Sequence, residues 1–153
     1  FAFSTSSSAA TIPVTLRTVN QDLGVNQNVA SFVVPVGATI NMDGTAIMQG
    51  LATVFIAQMS GIDLTLFQYI QVVLLAVATS IGTAAVPSAG TITLIIILQQ
   101  FNLPLEAIGI ILAVDRVLDM IRTSVNVTGD AAIACIVAKT ENQLDENIFN
   151  SKA

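Results

Sequence analysis

Asp115, Asp119, Arg122, Asn126 and Asp130 recur at intervals of three or four residues in a stretch otherwise dominated by apolar side chains. On a helix turning about 100° per residue they point to about 0°, 40°, −20°, 20° and 60°, a polar stripe roughly 80° wide and about 22 Å long. Ile110, Ile111, Val114, Val117 and Leu118 fill most of the remaining surface. The carboxylates outnumber the one guanidinium, and a carboxylate inside a membrane segment costs several kcal/mol unless something neutralises it. The stripe therefore calls for a bound cation. Asp43, in Asn41-Met-Asp-Gly-Thr45, adds to that demand if its segment packs nearby. Oxygens of Asp130, Asn126, Asn41 and Asp43 suit a hard monovalent cation such as sodium, especially where unwound backbone frees carbonyls to join them. Protons could carry part of the neutralisation. Arg122 offers a fork of donors matched to a carboxylate, and Asp119 an acceptor for an ammonium group. A ligand bearing both follows, namely an amino acid with an acidic side chain.

Such a stripe needs elements to surround it. Apolar runs cover residues 9–19, 29–59, 64–101 and 105–138. The second run is interrupted at 41–45 and the third at Ser-Ile-Gly-Thr-Ala-Ala-Val-Pro-Ser-Ala-Gly, residues 80–90. The arms are about ten to fourteen residues long, short of the ~20 that a plain span needs, so broken helices and re-entrant hairpins are expected. Ser4-Thr-Ser-Ser-Ser8 reads as the tip of a first hairpin with 9–19 as its returning arm; the competing reading is a soluble serine linker. Tips such as Ser6-Ser7-Ser8 and the loop 82–90 can turn N–H groups and hydroxyls toward an anionic carboxylate. Pro87 and Gly90 could instead serve only to break a helix. The order tip, broken helix, tip, striped helix is what an inverted repeat leaves in a sequence.

Hydrophobic residues make up 54% of the chain and charged residues 10%. Too few charges remain to cover a water-facing exterior, which disfavours a compact soluble domain and points to lipid as the solvent. The same imbalance argues against reading the stripe as the wet face of a surface helix. Starting at Phe1 within apolar sequence, the chain reads as part of a longer one, without a signal peptide. The net charge of −5 comes partly from Glu141, Asp145 and Glu146 in the polar tail after Lys139, expected to be solvated. Arg17, Lys139 and Lys152 should lie on one side, the cytoplasmic one, and Asp63 and Glu106 on the other. Cys135 is the lone cysteine, so no disulfide forms within the chain, and it reads as a packing residue. The absence of His removes the usual triad base, and no phosphate-binding Gly-x-x-x-x-Gly-Lys pattern suggests nucleotide-driven transport.

Four segments then carry a specific resemblance: Ser-Ser-Ala-Ala-Thr-Ile-Pro at 7–13, Asn-Met-Asp-Gly-Thr at 41–45, the 80–90 loop, and the 16 residues from Asp115 to Asp130. In this order they resemble the successive motifs of the dicarboxylate/amino acid:cation symporter family, which includes glutamate and aspartate transporters. The resemblance implies an all-α integral membrane protein with broken transmembrane helices and re-entrant hairpins in an inverted-repeat transport domain, the glutamate-transporter-like elevator fold. Residues 1–140 would be its C-terminal part, from the end of hairpin one through helix seven and hairpin two to helix eight, and 141–153 a polar tail. It implies a homotrimer in the inner (plasma) membrane, multi-pass and in contact with lipid, with no nucleic-acid partner and no enzymatic activity.

Residue by residue, the resemblance gives Arg122 the substrate side-chain carboxylate, Asp119 its amino group, and Asn126 with Ser7 and Ser8 its main carboxylate; Thr45, Thr123 and Gly90 assist. Sodium ions would meet Asp130 with carbonyls of Gly37, Asn41 and Asn126. A second sodium site would use carbonyls around Thr39, Ser80, Ile81 and Thr83, and a third Asn41 with Asp43. Gln49 stands where eukaryotic members resemble one another in having Glu, implicated in proton countertransport, and points to a prokaryotic, sodium-driven member. Ser6 and Met120 stand where other members carry an arginine, and Arg116 is the candidate to compensate. The function implied is sodium-coupled import of aspartate or glutamate; the alternatives are a C4-dicarboxylate or proton-coupled glutamate carrier. A channel is a further class, which broken helices fit equally and which ohmic current in place of saturable uptake would reveal; a membrane hydrolase, with Asp115 and Asp119 as acid and base or a tip serine as nucleophile, is disfavoured by the absence of His.

Overall fold

The computed structural model describes residues 1–151, which are helical apart from the connections and one isolated β-bridge. Helix α1 (Ala2–Thr5) meets α2 (Ser8–Arg17) at a tight turn where Ser6 takes a left-handed backbone, φ 51°. Ser7 caps α2 by accepting the Ala10 N–H, satisfying one of the donors that a helix start leaves over. A π-helical turn, Thr18–Asp22, ends this arm, and Asn26 caps α3 (Gln27–Ile40). The chain then unwinds at Asn41 and Met42 before α4 (Asp43–Met59) resumes. Thr65 and Gln68 form a reciprocal capping box that starts α5 (Leu66–Ile81). Ser88, also left-handed at φ 61°, precedes α6 (Ala89–Gln100). A short 3-10 turn, Leu105–Ala107, leads into α7 (Ile108–Thr140), whose 33 residues reach about 50 Å. The last element is α8 (Glu146–Ser151).

Helices α3 and α4 pack on α7, α1 also rests on it, and the α5–α6 hairpin packs on α4. One apolar cluster gathers Val19, Val25, Val34 and Ala138; another gathers Ile56, Leu94, Leu98 and Ile111. Along α7 the polar stripe lies between Ile111 of one cluster and Ala134 of the other. Arg17 and Lys139 adjoin residues of the first cluster and Asp63 and Glu106 residues of the second, but Asp22, Glu141, Asp145 and Glu146 also adjoin the first, so charge does not distinguish the two ends. Lys152 lies outside the described residues.

Polarity runs opposite to that of a water-soluble protein. Phe32, Leu51, Leu66, Phe67, Leu74 and Ile92 are 66–78% exposed, whereas Gln49, Asp115, Asp119, Arg122, Asn126 and Asp130 are buried. Water would penalise that outer surface, and lipid would not. Among the described residues no helix is both long and apolar enough to cross a membrane. The broken elements account for this: α3 to α6 have 12 to 17 residues each, and α7 has the length but carries the charged stripe.

The second interruption differs from its expected extent. Residues 82–88 form the loop, but Gly90 lies in the first turn of α6, because the left-handed turn at Ser88 lets the helix restart at Ala89. Residues 141–151 are mostly exposed, and Leu144 among them is paired against Val25.

Candidate functional site

The stripe on α7 faces inward as its periodicity requires. Asp119 and Arg122 form a buried ion pair one turn apart, and the other oxygen of Asp119 accepts the Ser88 N–H at 2.8 Å. The tip of the α5–α6 hairpin therefore rests on this carboxylate. Arg122 Nη1 and Ser6 Oγ are the two side-chain atoms buried without a hydrogen-bond partner among the described residues. Leaving such groups unpaired costs about 1–3 kcal/mol each, and both belong to residues lining one cavity.

That cavity lies between the two tips and α7. Ser8, Thr45, Thr83, Asp119, Arg122, Thr123 and Asn126 line it together with Ser6. Its volume of about 10 Å³ holds a single water molecule at most. Ser7 is used differently. Its hydroxyl donates to the Ala85 carbonyl at 2.9 Å and caps α2, so it ties one tip to the other. Gly90 forms a wall against the guanidinium: a Cβ there would overlap Arg122 Nη1 and lie 2.9 Å from Cζ. Gly90→Ala should displace Arg122 and, if the cavity takes an acidic ligand, raise its apparent KM at least about tenfold, a 1 Å misplacement being able to cost 10²-fold; saturation kinetics measure this.

One turn further along, α7 meets the break between α3 and α4. Asn126 Oδ1 accepts the Gly44 N–H at 2.8 Å, satisfying a donor at the start of α4. Gly44 has no Cβ to obstruct this approach, since one would sit 2.5 Å from the Arg122 carbonyl. Asn41 Nδ2 donates to Asp130 Oδ1 at 3.1 Å and to the Asn126 carbonyl at 3.3 Å. Gly37 lies against the same carboxylate, its virtual Cβ 2.5 Å from Asp130 Oδ1. Gly37, Asn41, Asn126 and Asp130 are thus brought together. Asp43 and Asn41 both abut Gly129, although Asp43 is exposed.

Carboxylate, amide and backbone oxygens form the donor set of a hard cation. Among the described residues no three of His, Cys, Asp and Glu converge as a transition-metal site would need. The set around Thr39, Ser80, Ile81 and Thr83 is less assembled. Thr39 and Ile81 are exposed, the Ser80 carbonyl accepts the Thr83 N–H at 3.0 Å, and no hydrogen bond described joins Thr39 to the other three.

A polar network behind the second tip joins Gln49 to Thr79 and Thr93, which the sequence reading left aside. Gln49 donates to the Gly90 carbonyl at 3.0 Å and to Thr93 at 2.6 Å, and accepts from Thr79 at 2.8 Å. Thr91 donates to Asp115. Threonines at 79, 83, 91 and 93 in an otherwise aliphatic region were the available signal. Arg116 points away from the stripe and donates to the Ser4 carbonyl at 3.2 Å, so it braces the first tip from outside.

Comparison with known proteins matches residues 1–140 to the Sodium:dicarboxylate symporter family. The chain is 50% identical over 136 residues to an excitatory amino acid transporter of Caenorhabditis elegans, covering 89% of this chain and 27% of that protein. It is 51% identical over 136 residues to excitatory amino acid transporter 2 of Homo sapiens, covering 89% and 24%. With excitatory amino acid transporter 3 of Mus musculus the identity is 49% over 148 residues, 96% of this chain and 28% of that protein. The chain thus spans about a quarter of the length of the curated relatives it matches. These relatives are animal proteins, so the comparisons lend no support to the prokaryotic member expected from Gln49.

Proposed function

The chain belongs to the sodium:dicarboxylate symporter family, and on that premise we propose that it is the ligand-binding part of a multi-pass plasma-membrane symporter that imports L-aspartate or L-glutamate with sodium. The observation that carries this reading is the buried Arg122, with one nitrogen unpartnered, beside Asp119 in a cavity closed by two hairpin tips. Arg122 would receive the side-chain carboxylate and Asp119 the ammonium group. Asn126 with Ser7 and Ser8 would receive the main carboxylate, and Thr45, Thr123 and Gly90 would shape the site. Ser7 must then exchange its bond to Ala85 for one to the ligand. A cavity of about 10 Å³ cannot hold an amino acid, so a tip must lift to admit one.

Sodium is the co-substrate in this reading. Asp130, Asn41, Asn126 and Gly37 would hold one ion, Asn41 and Asp43 would contribute to another, and carbonyls of Thr39, Ser80, Ile81 and Thr83 would close around a third as the tip settles. Asn126 links the two cargoes. It lies one turn from both Arg122 and Asp130, and its side chain is bonded to the α4 backbone while its carbonyl meets Asn41. Ordering one site therefore orders the other, which is the coupling that symport needs. Gln49 carries no ionisable group, so the driving force is assigned to sodium. An elevator motion within a homotrimer completes the proposal.

The test reconstitutes the full-length protein carrying this chain in liposomes and follows labelled L-aspartate. Saturable uptake that requires an inward sodium gradient is the expected result. Uptake on a proton gradient alone would overturn the sodium assignment. Uptake of succinate in place of aspartate would overturn the role of Asp119, which a ligand without an ammonium group leaves unused.

A further inference from the structure

Residues 143–148 lie beyond the part of the chain that matches the family, yet they are stitched to the bend between α2 and α3. The Gln143 N–H turns back onto the Ala138 carbonyl at 2.7 Å. From there the Asn26 N–H donates to the Gln143 carbonyl at 3.0 Å, and the Asp145 N–H donates to the Gly24 carbonyl at 2.8 Å, on either side of the Val25 and Leu144 bridge. Val25 is 1% exposed, and Leu144 packs against the apolar cluster that includes Val19 and Ala138. Asn20 of the π-helical turn also donates to the Val25 carbonyl at 2.9 Å. Gly24 is required twice over: its φ is +72°, and a Cβ would lie 2.5 Å from the Asp145 carbonyl oxygen.

We propose that residues 143–148 form a strap that locks the hinge of the first hairpin. Helix α2 carries Ser7 and Ser8 at its tip end and runs into residues 18–26 at its base. Any swing of the tip away from the cavity must bend that base. The strap clamps it to the end of α7 through backbone bonds and a buried apolar contact, an arrangement that resists hinging without touching the ligand site. The α5–α6 hairpin has no part in these bonds and meets the first tip only at its far end, where Ser7 donates to the Ala85 carbonyl. The strap therefore acts first on the base of α2.

Amide hydrogen exchange on the full-length protein in nanodiscs tests this, comparing the unmodified protein with Leu144→Asp and Gly24→Ala. Releasing the strap should speed exchange across residues 8–17 about tenfold, a local opening made easier, and leave residues 89–100 unchanged. Unaltered exchange at 8–17 would overturn the proposal. So would an equal rise at 8–17 and 89–100, because the segment would then support the fold as a whole and not a hinge. Should Leu144→Asp fail to assemble, Gly24→Ala carries the test alone, since it removes no side chain and unseats the strap through the Asp145 carbonyl and the left-handed backbone at residue 24.

Discussion

Arg122→Cys should abolish the preference for acidic over neutral amino acids, lowering the acidic-to-neutral ratio of kcat/KM by at least about a hundredfold. Truncating one partner of a buried ion pair costs about 3–5 kcal/mol, much of it from the charge left behind. Here that charge is Asp119, which keeps its bond from the Ser88 N–H after the guanidinium is gone. Asp119 is then free to hold the ammonium group of any small amino acid, so binding changes in kind and need not vanish. Competition of L-aspartate against L-serine for uptake measures the effect. An unchanged ratio would mean that Arg122 serves only to pair with Asp119.

Asp130→Asn should separate cation binding from the fold. The amide keeps the shape of the carboxylate and an oxygen to accept from Asn41 Nδ2, so the junction of α3, α4 and α7 should survive. The negative charge does not survive. Affinity at oxygen-lined cation sites follows ligand charge, and the half-saturating sodium concentration should rise by about a hundredfold. Uptake measured across sodium concentrations at saturating aspartate reads this directly, and thermal unfolding in detergent checks that the protein remains folded. A normal sodium dependence would move the ion elsewhere, with Asp43 as the next carboxylate to examine.

Much of this arrangement is legible in the sequence because it is periodic. The spacing of Asp115, Asp119, Arg122, Asn126 and Asp130 places all five on one buried face, and the interruptions at 41–45 and 80–90 fall where α3 gives way to α4 and α5 to α6. What periodicity cannot carry is the pairing of distant segments. The Ser88 N–H on Asp119 joins residues 31 apart and the Ser7 bond to Ala85 joins residues 78 apart. Neither follows from local pattern, and the second takes a serine expected to face the ligand and uses it to hold the tips together. Gly90 reads as a loop residue until the left-handed turn at Ser88 restarts the helix one residue before it. The pairing of Gly24 and Val25 with residues 144–145 was hidden for the same reason, since two short polar stretches far apart in the chain carry no repeat.

The length of α7 sets where all of this sits in depth. Its 33 residues span about 50 Å, against a hydrocarbon layer of about 30 Å. Tilt can absorb part of the mismatch, and the remainder must stand in the headgroups or in water. Arg122 falls close to the midpoint of the helix, so an α7 centred in the membrane would put the pocket near the centre of the bilayer. The far end, where Lys139 pairs with Glu146, would then emerge at an interface. Bilayer thickness thus becomes a variable in its own right: a thinner membrane brings bulk water nearer to the pocket from both sides, without any change in the protein.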